Sequence, residues 1–425
     1  MKAGFLKSED PTVSRLSDNR PITDCTLGKR KYRMDDFCLE RNIGCESTSQ
    51  VWHVTLKARP EQSYALKIFN IKKVERTNFV KFVQQERNAM LVLNNPGHPH
   101  VIRMIDTFKD QENVYLLYEY AQGGDLWEEI KHIGIPDGYI ARKLVCQLLE
   151  GLEYIHQKGI IHRDLKCENI VVKDGALKIV DFGTSLFEKD VTNEDMAETS
   201  QKREPEVTCK QMSSGDSVDD CRQQFISRGR RTYRNYVGTP NFMPPEAISN
   251  IASGYAGDLW SFGCTVYQLL LGVNCFAGSS SYFISKNVVA NLIEFPESFD
   301  SDAKDFISRF LIKDPTKRMN LAEAKLHRYI SGTKDMAQPS GILKRFDTID
   351  PNIRKVCCSI QEAVFDLTIK REDATEEDHQ EIIDRINWVK QQGILTVADA
   401  IEFNYYRTKR LLEAEMEEAR KYMNS

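Results

Sequence analysis

The 425-residue sequence predicts an α+β fold, with strand signals toward its N-terminal side, helices beyond them and a helical C-terminal extension. Three observations predict it. Tyr64-Ala65-Leu66-Lys67-Ile68-Phe69 reads as a buried strand carrying one charge, because β-branched and aromatic residues suit a pleated, half-covered surface. The apolar run Cys264 to Val273 reads as buried helix; it contains Gln268 and is far too short to span a bilayer. Beyond Ser331, Thr375-Glu376-Glu377-Asp378 has the form of a capping box, and Ile382, Ile386 and Val389 repeat at helical spacing before Gly393. A second helix is expected from Thr396, with Val397, Ile401 and Tyr405 on one stripe and an acidic end through Glu418. The pair predicts a helical hairpin packed on the main domain or held by a partner.

The chemistry concentrates in His162-Arg163-Asp164-Leu165-Lys166-Cys167-Glu168-Asn169 and, shortly after it, Asp181-Phe182-Gly183. A proton acceptor, a phosphate-facing lysine and two hard oxygen ligands for magnesium fall within eighteen positions. Phosphoryl transfer demands positioning and charge neutralisation rather than covalent chemistry, and these residue types supply both. Upstream, Lys67 is the one charge in its strand, which is costly unless paired. Glu86, nineteen positions on, offers a partner within a helical segment; a lysine snorkelling from an edge strand is the bland alternative. Downstream stand Gly238-Thr239-Pro240, Pro244-Pro245-Glu246, Asp258-Leu259-Trp260-Ser261-Phe262-Gly263 and Asp314-Pro315-Thr316-Lys317-Arg318. In this order, the strings resemble a eukaryotic protein kinase.

That resemblance implies a two-lobed protein kinase-like fold: a small, mainly β lobe over 34–120 and a large, mainly α lobe over 121–330. Residues 1–33 form a flexible extension and 331–425 the helical one. It implies ATP and Mg2+ as cofactors, with Asp164 and Lys166 catalytic and Asn169 and Asp181 holding the metal. Gly44, Val51, Ala65, Lys67 and Glu86 would surround the nucleotide. Backbone groups of Glu119 and Ala121 would meet the adenine edge, Asp125 would approach the ribose, and Tyr118 would close the back of the adenine pocket. Arg318 is expected to pair with Glu246.

Asp164 with Lys166, and Gly238-Thr239, follow the serine/threonine pattern. Among such kinases the chain is similar to the 3-phosphoinositide-dependent protein kinase family of the AGC group. The similarity rests on Ser49 in the glycine loop, the Lys67–Glu86 interval, Asp181-Phe182-Gly183-Thr184, the stretch Asp258 to Leu269, and Phe295-Pro296-Glu297-Ser298-Phe299 before Ala303-Lys304-Asp305. Protein substrates are implied, other AGC kinases among them. So is a docking groove for a substrate's phosphorylated aromatic tail, with Val80 and Val83 seating rings, Val74 adding a wall and Arg87 pairing the phosphate; packing of these valines onto the lobe's own sheet is the alternative. Phe403-Asn404-Tyr405-Tyr406 loosely echoes such a tail.

Three features depart from that pattern. Glu46 stands at the second glycine of Gly44-Cys45-Glu46-Ser47-Thr48-Ser49-Gln50-Val51, where glycine lets the backbone approach phosphates; weak ATP binding and an outward-turned side chain are both open. Asn235 occupies the position of the family's activation-loop phosphoserine and cannot gain its charge. Phosphate-independent activity is therefore expected, with a displaced phosphosite at Thr232 or Tyr233, beside Arg228, Arg230, Arg231 and Arg234, as the alternative. No strand-rich lipid-binding domain is evident, so phosphoinositide binding is unsupported.

The 65 positions from Asp181 to Glu246 exceed the family's usual segment; the excess, about 188–231, is polar and predicted disordered. It serves regulation or docking, or is a neutral expansion. A net charge of −4 with both signs abundant gives no case for nucleic acid. Eleven cysteines without paired spacing, and no apolar leader or transmembrane segment, point to the cytoplasm, with the nucleus or transient membrane association as further settings. Lys29-Arg30-Lys31-Tyr32-Arg33 reads as a solvated cluster or a contact for anionic lipid or a partner. A scaffold that binds partners without phosphotransfer is the alternative function, favoured by the altered glycine loop.

Overall fold

The computed structural model describes residues 32–46, 48–131, 134–135, 138–190, 238–251, 253–332, 351–370, 373–393 and 395–423. Strands β1 (Phe37–Cys45), β2 (Ser49–Leu56), β3 (Arg59–Asn70), β4 (Met104–Lys109) and β5 (Asn113–Glu119) form an antiparallel sheet ordered β1-β2-β3-β5-β4. Alternation along β3 sets two faces. Leu66 joins Phe37, Val54, Leu56, Tyr64, Tyr115 and Leu117 in a cluster on one side, while Lys67 points to the other.

Between β3 and β4 run α1 (Ile71–Arg76) and α2 (Val80–Leu93). Asn70 caps α1, its side chain accepting from Lys73 N at 3.1 Å. The buried residues of α2 include Val83, Glu86, Met90 and Leu93, spaced 3, 4 and 3 apart on one face, so Glu86 enters the lobe within an apolar stripe. That stripe joins a continuous core with the large-lobe helices.

The large lobe begins with α3 (Leu126–Ile130) and α4 (Gly138–Gln157), followed by short strands β6 (Ile160–Ile161), β7 (Ile170–Lys173), β8 (Ala176–Ile179) and β9 (Leu186–Phe187). After α5 (Pro245–Ile248), helix α6 (Gly254–Leu271) runs through the centre of the lobe, and Gly272 closes it in the left-handed conformation at φ 66°. Helices α7 (Ser281–Ala290), α8 (Ser301–Phe310), α9 (Leu321–Leu326) and α10 (Arg328–Ser331) complete it. Arg318 forms the expected two-point pair with Glu246, at 2.6 and 2.7 Å.

Among its described residues the C-terminal extension holds three helices rather than a hairpin: α11 (Pro351–Lys370), α12 (Glu376–Gln391) and α13 (Leu395–Met423). The sequence reading missed α11. Its buried Cys357, Ile360, Val364 and Leu367 do recur at helical spacing, but small and polar neighbours dilute the stripe. The capping box forms as predicted, Thr375 N donating to Asp378 Oδ2 at 2.8 Å and Asp378 N to Thr375 Oγ1 at 3.2 Å. Tyr405 is no aromatic-tail ligand: it lies in the core of these helices and its hydroxyl meets His379 Nδ1 at 2.9 Å.

Helix α13 docks on the large lobe through Arg407, which is 3% exposed. Its guanidinium donates to the carbonyl of Asn274 at 2.9 Å, to that of Cys275, and to the Tyr267 hydroxyl at 3.4 Å. Glu415 accepts from Ser279 N at 3.2 Å, and Lys286 pairs with Glu418. Arg407→Ala should therefore destabilise the docked extension by about 2–4 kcal/mol, read as faster hydrogen exchange over α11–α13 with α4 and α6 unchanged. Equal exchange in both proteins would mean that α13 docks without this side chain.

Candidate active site

Lys67 is 6% exposed, and three segments of the chain bring carboxylates to it. Its Nζ lies 3.1 and 3.3 Å from the two oxygens of Glu86, 3.3 Å from Asp181 Oδ1 and 3.7 Å from Glu46 Oε1. The lysine therefore does not snorkel. Burial pulls the Lys67 ammonium toward its neutral form, but Asp181 and Glu86 outweigh it and hold the pKa well above the ordinary lysine range. Burial pushes Glu86 up to about 7, against the opposing pull of Lys67. Asp181, whose burial acts upward, is kept below the usual carboxylate range chiefly by Lys67.

Two residues of this cluster had other expectations. The Tyr118 hydroxyl donates to Glu86 Oε1 at 2.8 Å, so the residue expected to close an adenine pocket holds the ion pair. Glu46 is not turned outward: Ser49 Oγ donates to its Oε2 at 2.8 Å and directs the carboxylate toward Lys67.

Asp164 lies in the loop after β6. Its Oδ1 accepts Thr239 N at 2.9 Å and the Thr239 hydroxyl at 2.9 Å; its Oδ2 accepts from Asn169 Nδ2 at 3.1 Å and faces Lys166 Nζ at 3.3 Å. Lys166 also donates to Thr239 Oγ1 at 2.6 Å. Asn169 Nδ2 donates again to the Asp164 carbonyl at 2.7 Å, so the amide N–H groups face Asp164 and the amide oxygen turns away from it. Gly238 is required here: at φ 112°, a Cβ would come within 2.7 Å of the Arg163 carbonyl.

Four polar residues of α6, all buried, hold that loop and the nearby Pro240–Phe242 turn from beneath. Asp258 accepts from the backbone N–H groups of His162 and Arg163, both at 2.8 Å, and contacts His156 Nε2 at 2.8 Å. Burial acts upward on Asp258, and His156 leads the donors that nevertheless keep it ionised. Ser261 donates to the Phe242 carbonyl at 2.9 Å, Thr265 to that of Leu165 at 3.2 Å, and Gln268 Oε1 accepts from Cys167 N at 2.9 Å. Apart from Gln268, noted only as a break in an apolar run, the sequence reading assigned this stripe no role. Its spacing of 3, 4 and 3 residues inside a buried helix was the available signal. Arg163 and Asp181 adopt φ of 67° and 61°, left-handed values that bulky residues rarely take and that cluster at working sites.

At the sheet's end, Gly44 pairs with Val51 and Val51 with Lys67, while Ala65 opposes Tyr118. Glu119 N donates to the Arg103 carbonyl at 3.0 Å, and the Ala121 carbonyl accepts from Gly124 N at 3.3 Å. The Glu119 side chain is clamped by Lys173 at 2.5 Å and Lys178 at 2.9 Å. Asp125 caps α3, its Oδ1 accepting Glu128 N at 2.9 Å, a role the sequence reading did not give it. The groove expectation is corrected at Val83 and Val74. Val83 on α2 is 3% exposed and Val74 on α1 is fully buried, both turned into the core that runs on into the large lobe. Val80 packs there partly, and half-buried Arg87 is pulled below the usual arginine range by burial. Asn235, Thr232 and positions 191–231 of the insertion lie outside the described residues.

The sequence matches the protein kinase domain family over residues 37–220 and 223–330. It is 31% identical to Serine/threonine-protein kinase PKH3 of Eremothecium gossypii over 72% of this chain and 38% of that protein. To 3-phosphoinositide-dependent protein kinase 1 it is 30% identical, over 68% of this chain and 53% of the Arabidopsis thaliana protein, and over 69% of this chain and 46% of the Homo sapiens protein. The chain thus spans 38–53% of the length of these relatives. With that match covering both lobes and the site between them, the chain belongs to the protein kinase domain family and is similar within it to the 3-phosphoinositide-dependent protein kinases.

Proposed function

We propose that this chain is a serine/threonine protein kinase that transfers the γ-phosphate of ATP to protein hydroxyls. One observation carries the reading. The Thr239 hydroxyl is caught between Asp164 Oδ1 and Lys166 Nζ, at 2.9 and 2.6 Å, in the contacts a reacting hydroxyl needs. A substrate serine or threonine would take the same pair of partners. Asp164 orients that hydroxyl and accepts its proton late, while its other oxygen stays fixed by Asn169. Lys166, whose charge burial opposes and Asp164 sustains, steadies the transferring phosphoryl group. Lys67, fixed by Glu86, grips the nucleotide's phosphates.

Among the described residues, no group of three or more His, Cys, Asp or Glu side chains could hold a metal ion alone. The Asp181 carboxylate and the Asn169 amide oxygen form a hard oxygen pair that fits Mg2+ if phosphate oxygens complete its shell. Bound there, magnesium would neutralise charge on the phosphates. The assembled Lys67–Glu86 pair favours this enzyme over a scaffold without phosphotransfer. The similarity to 3-phosphoinositide-dependent protein kinases supports other AGC kinases as substrates. The cytoplasm is the proposed setting, on the cysteine pattern; no helix among the described residues is long and apolar enough to cross a membrane.

Asp181→Asn and Asp164→Asn should each lower phosphotransfer to a basic protein with Mg-ATP by at least about a hundredfold. Near-wild-type turnover in either, with folding verified by thermal unfolding, would overturn the assignment of that residue.

A second test concerns pH. Glu86 loses its proton as pH rises through about 7, so the ion pair with Lys67 strengthens on the alkaline side of that value. Asp181 and Glu46 oppose that ionisation, while Lys67 and the Tyr118 hydroxyl favour it. Tyr118→Phe removes one favourable contact and should move the acid limb of kcat/KM upward by roughly half a pH unit to one. An unmoved limb would show that the hydroxyl does not support Glu86.

A further inference from the structure

Glu86 and Asp181 have roles in the proposed chemistry; the third carboxylate beside Lys67 does not. Glu46 belongs to the turn joining β1 to β2, which Glu46 N closes by donating to the Ser49 carbonyl at 2.9 Å. Ser49 is buried, and its hydroxyl fixes one carboxylate oxygen of Glu46 at 2.8 Å, leaving the other 3.7 Å from Lys67 Nζ. The Glu46 side chain is half exposed, whereas that of Lys67 is 7% exposed, so the glutamate meets the ammonium from the solvent side. That is the side from which a nucleotide's phosphates must arrive, since Glu86 and Asp181 hold the others.

We propose that Glu46 is a specificity-determining residue of the nucleotide site, its carboxylate competing with the nucleotide's phosphates for Lys67. The inference rests on the kinase reading above and adds to it a residue that lowers phosphate affinity without touching adenosine. The physical reason is twofold. A carboxylate already against the ammonium must be displaced before a phosphate oxygen can take its place. Once displaced, it remains tethered through Ser49 beside a group carrying several like charges. Because Glu46 is half exposed, water and salt screen the effect, which keeps it moderate.

The experiment measures binding of adenosine and of ADP, at fixed magnesium, by titration calorimetry on the full chain, its Glu46→Gln variant and its Ser49→Ala variant. Glutamine keeps the size and the hydrogen bond to Ser49 while removing the charge. Glu46→Gln should tighten ADP about three- to tenfold and leave adenosine unchanged. Ser49→Ala frees the carboxylate from its tether and should tighten ADP by a smaller factor in the same direction. The advantage of Glu46→Gln should shrink as salt is raised. Unchanged ADP affinity in Glu46→Gln, or equal tightening of ADP and adenosine, would overturn the proposal while leaving the kinase reading intact. A wild-type chain that binds neither ligand would overturn both.

Discussion

The site depends on one constraint: an ammonium taken out of water must be met by anions. Lys67 is buried in a sheet whose other face is packed with aromatic and aliphatic side chains, so desolvation makes its charge untenable alone. The chain resolves this by bringing Glu86 from α2 and Asp181 from the segment after β8, both within 3.3 Å. Apolar packing alone tolerates rotation and sliding; a charge pair with defined hydrogen bonds does not. The rotation of α2, the reach of Asp181 and the approach of the two lobes are therefore fixed by the same interaction. Tyr118 adds a donor on the far side of Glu86, so the carboxylate is constrained from two strands and not one.

A second polar frame supports the catalytic loop, and it follows the same logic in the large lobe. Helix α6 is buried along nearly its whole length, yet it places Asp258, Thr265 and Gln268 beneath the loop and Ser261 beneath the nearby Pro240–Phe242 turn. Buried backbone groups in an irregular segment have no ladder to satisfy them, and these side chains supply the partners. Asp258 alone accepts two successive backbone N–H groups, which fixes the turn that presents Asp164. The left-handed Arg163 within that turn is held by its neighbours and not by its own preference.

Much of this was legible in the sequence, for a physical reason. Phosphoryl transfer restricts residue type at each working position, so Asp164, Lys166, Asn169 and Asp181 could be read as a set, as could a charged lysine in an apolar strand. Capping chemistry is equally local, and the Thr375 box marked the start of α12 to the residue. Features that depend on three-dimensional neighbours were less visible. Tyr118 looked like bulk because nothing local indicates that its hydroxyl reaches Glu86. Val83 looked available for docking because spacing reveals a stripe without saying which side meets the core. Helix α11 was lost because the apolar residues that define it are separated by small and polar ones, and its face is completed only by α12 and α13.

Helix α13 and the catalytic loop share one polar spine, although the sequence separates them by more than two hundred positions. Cys167 N donates to Gln268 Oε1 at 2.9 Å, and Gln268 Nε2 donates to Asn274 Oδ1 at 3.2 Å. The backbone carbonyl of Asn274 then accepts from Arg407 at 2.9 Å, and that guanidinium lies over the ring of Tyr267. Arg407 meets carbonyls and a hydroxyl here in place of a carboxylate, so the segment from Asn274 to Cys275 must present its backbone oxygens in a fixed direction. Gln268 imposes the matching demand from the other end by engaging the Asn274 side chain. The extension is therefore joined to the segment that closes α6, and α6 is the helix on which the loop carrying Asp164 is built.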